Sequence, residues 1–209
     1  RQGDNYLING TKRFITNAPS ADLFTVFART HTQEKGARGV SAFLVDGNLP
    51  GITLGSPYRK IGQQGAPVCD VMFDDVRVSQ DKLVGARENV GFATAMKVLD
   101  KGRLHISAIS VGIAERLIED ATRYALDRRQ FGQAIADFQL IQAMLADSQT
   151  ETYAAACMVE ETARRRDTGE NVGVLAASCK LFATEMVGRV ADRAVQIFGG
   201  AGYVEDDGI

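Results

Sequence analysis

Ile106-Ser107-Ala108-Ile109-Ser110-Val111-Gly112-Ile113-Ala114-Glu115-Arg116-Leu117-Ile118-Glu119-Asp120-Ala121-Thr122-Arg123-Tyr124 is the stretch that decides the fold. Its apolar residues Ile106, Ile109, Ile113, Leu117, Ala121 and Tyr124 recur at spacings of three and four, the repeat of one α-helical face. Two later sets keep the same period: Phe138, Ile141, Leu145, Ser148, Thr152, Ala155 and Val159, then Leu175, Cys179, Phe182 and Met186. Asp137 reads as the N-cap of the second helix and Gly169 as its C-cap. A helix over 138–166 is about 43 Å long at 1.5 Å per residue. Short polar turns, Gly132 to Asp137 and Asp167 to Asn171, fold such helices back into an antiparallel bundle. Three helices are visible, and a fourth is needed to close the core.

Upstream of residue 88 the period changes. Short β-type runs, Tyr6 to Ile8, Leu23 to Ala28, Val40 to Val45, Ile52 to Leu54 and Val71 to Phe73, are separated by Asn9-Gly10, Asp46-Gly47-Asn48 and Pro50-Gly51. Asn9-Gly10 is a hairpin signal. The expected fold is therefore α+β and multi-domain. A small antiparallel β-sandwich or barrel over residues 1–87 precedes an antiparallel four-helix bundle over residues 88–209.

Composition narrows the function classes. The 209 residues are 45% hydrophobic and 24% charged, those of an ordinary globular chain. A net charge of −2 and a pI near 5.8 leave no basic footprint for nucleic acid. No apolar run approaches the roughly 20 residues of a membrane span. The opening Arg1-Gln2-Gly3-Asp4 lacks a methionine and a signal-peptide pattern, so the expectation is a piece from inside a longer protein. Cys69, Cys157 and Cys179 are odd in number and widely spaced. They form neither a disulfide framework nor, with His31 and His105, a metal cluster. The P-loop, the Ser nucleophile elbow and the G-x-G-x-x-G fingerprint are absent, so any chemistry rests on a bound cofactor.

Five motifs then give the chain a resemblance. The run from Gly3 to Ala18, centred on Lys12-Arg13-Phe14-Ile15-Thr16-Asn17, resembles the segment of the acyl-CoA dehydrogenase family in which two strands meet a loop against the flavin. Phe73-Asp74-Asp75-Val76-Arg77-Val78 looks like that family's F-[DE]-D-V-x-V-P strand, with Ser79 in place of proline. Leu99-Asp100-Lys101-Gly102-Arg103 is similar to its L-D-x-x-R stretch, and Arg128 to Gly132 to its R-x-x-F-G, followed by Phe138-Gln139. Gln196 to Gly202 matches Q-x-x-G-G-x-G. The ordered set covers essentially the whole chain. It resembles the middle β domain and most of the C-terminal helical domain of the family.

The resemblance implies FAD as cofactor and an assignment of residues. Phe14, Ile15 and Thr16 would lie at the flavin, with the aromatic covering one face (commonly Trp in the family) and the Thr16 hydroxyl near N5, where a donor favours reduction. The plain structural reading of the same residues is a strand-end turn. Arg128 would be a bidentate donor to the FAD pyrophosphate of a neighbouring subunit, joined by Phe131 and Gln139. Its plain reading is a cation in the last turn of the first long helix. Gln196, Ile197, Phe198, Gly199 and Gly200 would serve the adenine and pyrophosphate end of FAD across a subunit interface, where a glycine-rich helix end is the commoner use. Asp100, Lys101, Gly102 and Arg103 would face the CoA portion of the substrate. By spacing alone, Asp100 and Arg103 are an intrahelical ion pair.

The implied reaction is α,β-dehydrogenation of a fatty or branched acyl-CoA thioester to the trans-2-enoyl-CoA, with electrons passed to an electron-transfer flavoprotein. A glutamate would remove the α proton as the β hydride passes to flavin N5. In two branches of the family that glutamate takes the position of Gly102, which cannot serve. Glu205 and Asp206 come too early for the usual Y-E-G-T-type motif, so the base is expected beyond Ile209 and no residue of this chain is assigned as catalytic. No metal is implied. The oligomer implied is a homotetramer, a dimer of dimers, in a bacterial cytoplasm or, less favoured, a mitochondrial matrix. The nearest rival is an acyl-CoA oxidase using oxygen, and a rival of another class is a non-catalytic flavin-binding paralogue. Gln64 and Ala66 stand where many relatives carry Arg and Ser, so contacts from that loop are not carried over.

Overall fold

The computed structural model describes residues 1–34 and 36–204, in two compact units, Arg1–Met96 and Lys97–Ile209. In the first unit β1 (Asn5–Thr16) and β4 (Ile52–Leu54) pair antiparallel with the two edges of β5 (Val68–Ser79). A separate pair, β2 (Leu23–Arg29) and β3 (Val40–Asp46), forms a second sheet. The sheets share one core. Tyr6, Ile8, Val71, Phe73, Val76 and Val78 come from the first, and Phe24, Val26, Phe43 and Val45 from the second. This is the sandwich that the short strands imply.

Strand β5 shows why the sandwich forms here. Cys69, Val71 and Phe73 point inward at period two, and the phase then slips so that Val76 and Val78 point inward instead. At the slip the pairing moves from Ile8↔Val76 to Gly10↔Phe73. The Asn9 side chain fills the gap: its Nδ2 donates to Asp75 Oδ1, and its Oδ1 accepts from the Asp75 N–H, both at 2.8 Å. Asn9-Gly10 therefore runs inside a long strand, Asn9 facing a bulge of β5 formed by Asp74 and Asp75, and is not the hairpin turn expected from the dipeptide. Pairing along β5 overrides the local turn preference. A second slip, between Lys12↔Val71 and Ile15↔Cys69, leaves Arg13 and Phe14 together opposite Asp70.

The helices are α1 (Gly91–Asp127), α2 (Gln139–Asp167) and α3 (Gly173–Phe198). Between α1 and α2 the chain makes a small hairpin, β6 (Arg129–Gln130) with β7 (Gln133–Ala134). Its turn residues Phe131 and Gly132 both have positive φ. Two clusters hold the second unit together. Val111 and Ala114 of α1 meet Ala155 of α2 and Ala183, Met186 and Val190 of α3. Nearer the other end, Ala121 and Ala125 meet Ala194 and Ile197, closed over by Ile141, Met144 and Leu145. Small residues are prominent in these contacts, and α2 and α3 approach closely. Glu151 of α2 ties α2 to α3 by accepting from Arg189 and Arg193, each at 2.8 Å. Burial raises the Glu151 pKa, but the two guanidinium partners outweigh it and hold the carboxylate below its ordinary value.

Three sequence expectations are corrected here. Ile106, Ile109 and Ile113 do not face the core; they are 46%, 56% and 48% exposed. The buried side of that part of α1 is Leu104, Ser107, Ser110, Val111 and Ala114, where the serines satisfy their hydroxyls on their own helix, as with Ser107 Oγ donating to the Arg103 carbonyl. Asp137 is not the cap of α2: it ends a 3₁₀ turn, and Phe138 occupies the N-cap without a side-chain bond. Arg128 lies one residue past the end of α1, although its N–H still donates to the Tyr124 carbonyl at 2.8 Å. Gly169, at φ 86°, follows the Thr168 C-cap and donates to the Arg166 carbonyl, a left-handed helix ending.

Candidate functional site

In the first unit, β1 carries Phe14, Ile15 and Thr16 at its end. Ile15 packs onto the sandwich core, whereas Phe14 and Thr16 are exposed. Phe14 is 61% exposed and stands at φ 56°. That backbone is uncommon for an aromatic residue. Its N–H donates to Asp70 Oδ1 at 3.2 Å, the Arg13 guanidinium lies 4.9 Å over its ring, and the Tyr58 ring is 5.0 Å away. Hydrogen bonding and charge interaction with Tyr58 first, then the charge of Asp70, raise the Arg13 pKa above its ordinary value. Sequence reading singled out Phe14 and Thr16 but missed Arg13, Tyr58 and Asp70. The one available signal was Asp70, a carboxylate within the apolar alternation of β5.

In the second unit one end of the bundle gathers Arg128, Phe131, Gln139 and the segment Gln196–Gly200. Tyr124 of α1 stacks on Phe198 of α3 at 4.3 Å, which brings the end of α3 to the end of α1. Ile197 is buried in the core and Phe198 is held by that stack, so these two offer a ligand their backbone and not their side chains. Gly199, at φ 59°, and Gly200 have no atom within 4 Å of where a Cβ would stand. Phe131 is 92% exposed at φ 53°, edge-on to Phe138. The side chains of Arg128, Gln139 and Gln196 are exposed and make no hydrogen bond to another described residue.

Asp100, Lys101, Gly102 and Arg103 lie toward the other end, separated from Arg128 by about 42 Å of helix. Arg103 donates to Asp100 at 2.6 Å, the intrahelical pair that their spacing implies. Asp100 Oδ2 lies 3.9 Å from the position a Cβ would take on Gly173, at the start of α3. A side chain at Gly102 would meet nothing within 4 Å. Glu205, Asp206 and Ile209 lie outside the described residues. Among the described residues no three His, Cys, Asp or Glu side chains cluster as for a metal, and no helix is long and apolar enough to cross a membrane.

Within the second unit, exposed planar donors beside an open diglycine suit an anionic ligand such as a phosphate group. The family model for the "Acyl-CoA dehydrogenase, middle domain" matches residues 1–76, and that for the "Acyl-CoA dehydrogenase, C-terminal domain" matches residues 89–209. The chain belongs to the acyl-CoA dehydrogenase family. It is 41% identical over 204 residues to the caffeyl-CoA reductase–Etf complex subunit CarC of Acetobacterium woodii, covering 98% of this chain and 53% of that protein. To the cyclohexane-1-carbonyl-CoA dehydrogenase of Geobacter metallireducens it is 41% identical over 206 residues, 99% of this chain and 53% of the other. The structure of butyryl-CoA dehydrogenase from Megasphaera elsdenii superposes with a TM-score of 0.93 at 39% identity, covering 99% of this chain and 54% of that one. The chain thus spans about half the length of the relatives it matches.

Proposed function

We propose that the protein carrying this chain is an FAD-dependent acyl-CoA dehydrogenase, and that the chain supplies its middle β domain (residues 1–87) and most of its helical domain (residues 88–209). The observation that carries the reading is the set of exposed donors, without a partner among the described residues, and bare backbone at one end of the bundle, Arg128, Gln139, Gln196 and Gly199–Gly200, in a member of this family. FAD, when bound, supplies the two-electron acceptor. Arg128 would hold its pyrophosphate across a subunit interface, with Phe131, Gln139 and Gln196 to Gly200 completing that contact. Phe14, Ile15 and Thr16 would hold its ring system, Phe14 as an aromatic wall that excludes water and Thr16 as a hydroxyl donor that favours reduction. Asp100 to Arg103 face the CoA thioester, where the Asp100–Arg103 pair fixes the guanidinium's direction. The α proton goes to a glutamate outside this chain, since Gly102 offers no base.

The subunit assembles as a homo-oligomer, a dimer of dimers, because Arg128 and the diglycine serve a neighbour. The electron partner is an electron-transfer flavoprotein, in keeping with the relative named as part of an Etf complex. That relative is named a reductase, which favours a second reading: the same site run toward saturation of an enoyl-CoA. The test is turnover of acyl-CoA thioesters of graded chain length by the protein at the length of its relatives, assayed anaerobically with an artificial acceptor and, in reverse, with a reduced donor. At least one thioester is expected to be dehydrogenated at a rate of order 1 s⁻¹ or more. Turnover only in the reverse direction would support the reductase reading. Peroxide formation with oxygen as sole acceptor would move the assignment to an oxidase.

A further inference from the structure

The bulge at Arg13 and Phe14 sets two residues of β1 against Asp70 alone, so the ladder cannot satisfy both. Phe14 adopts φ 56° with its ring largely in solvent. Core packing therefore does not hold it there, and such a backbone persists only where neighbours impose it. Asp70 is that neighbour. Its Oδ1 accepts the Phe14 N–H at 3.2 Å, and its Oδ2 lies 3.4 Å from Arg13 Nε. Arg13 in turn lies over the Phe14 ring and donates to the Tyr58 hydroxyl at 3.1 Å, while the Tyr58 ring leans on Phe14 at 43°. One carboxylate thus holds both the backbone beneath the ring and the cation above it. An exposed ion pair such as Arg13–Asp70 contributes little to stability, so the arrangement is better explained by what it aims than by what it stabilises.

We propose that Asp70 is a positioning residue for Phe14, fixing the bulge backbone and, through Arg13, the tilt of the ring, so that one wall of the flavin site stands preformed. This rests on the proposed placement of Phe14 against the flavin. The test compares Asp70→Ala, Asp70→Asn and Phe14→Ala in the FAD-loaded protein at the length of its relatives. Three quantities are read: hydrogen exchange of the segment containing the Phe14 amide, the visible flavin band, and the FAD dissociation constant. Asp70→Ala is expected to speed exchange at Phe14 by roughly tenfold or more, the scale of a lost charge-assisted hydrogen bond. It should weaken FAD by roughly two- to tenfold, since one side chain must be immobilised again on binding. The flavin band should move in the same sense as in Phe14→Ala, and adding Asp70→Ala to Phe14→Ala should change it little further. Asp70→Asn keeps an acceptor but removes the charge beside Arg13 and should fall between. If Asp70→Ala does not fold, Asp70→Asn carries the comparison. The proposal is overturned if Phe14→Ala alters the flavin while both Asp70 variants leave exchange and flavin unchanged. If Phe14→Ala itself leaves the flavin unchanged, the placement of Phe14 is wrong and the proposal falls with it.

Discussion

Purified by itself, the 209-residue chain is expected to turn over no acyl-CoA thioester above a free-flavin blank. A positioned general base is worth roughly 10²–10⁴ in rate, and Gly102, at the one base position the family offers within these helices, carries no side chain. Orienting contacts supplied by the rest of the protein add more, since effective molarities for well-oriented groups reach about 10⁵ M and above. The combined loss puts turnover below detection. Folding should suffer too. Ile106, Ile109 and Ile113 on one face of α1, and Val174 and Leu181 of α3, are exposed, apolar side chains of the kind that drive association when they lie uncovered. The isolated chain should therefore form loose oligomers or aggregates in size-exclusion chromatography with light scattering. Activity well above the blank would show that the base has been sought in the wrong place. Glu205→Gln would then be the first variant to make.

Arg128→Ala should weaken FAD retention and subunit assembly together in the protein at the length of its relatives. A charge-assisted bidentate contact to phosphate is worth about 1.5–3 kcal/mol, so FAD affinity should fall roughly 10- to 150-fold. The oligomer should shift toward smaller species over the same range of free FAD, because the contact crosses a subunit interface. Arg128→Lys restores the charge but not the planar fork and should recover only part of the loss. A variant with wild-type affinity for FAD would make Arg128 no more than a cation at a helix end, its plain reading.

Much of this was legible in the sequence because period and motif agree. Short β-type runs such as Val71 to Phe73 and the helical spacing that begins at Ile106 give the two kinds of structure. The ordered motifs from Gly3 to Gly202 give the family. What was not legible are places where pairing overrides local preference. Asn9-Gly10 signals a turn in isolation, yet the partner strand draws it into β1, where the Asn9 side chain mends the register against Asp75. Ile106, Ile109 and Ile113 lie at helical spacing, but periodicity cannot say which of two stripes on α1 faces α3. The small, serine-bearing stripe is the buried one, with Val111 and Ala114 in the cluster that includes Ala183, Met186 and Val190 of α3. At the candidate site, Phe14 could be named from its motif. The Arg13–Asp70–Tyr58 cluster around it could not, since it joins a bulge, a loop and the facing strand at sequence separations that no local pattern records.

The most direct measurement is the flavin content and mass of the protein when it is purified at the length of its relatives. The expected result is a yellow protein holding one FAD per subunit, released on denaturation and identified by its mass, in a dimer or tetramer. A colourless monomer that cannot be reconstituted with added FAD would contradict the account.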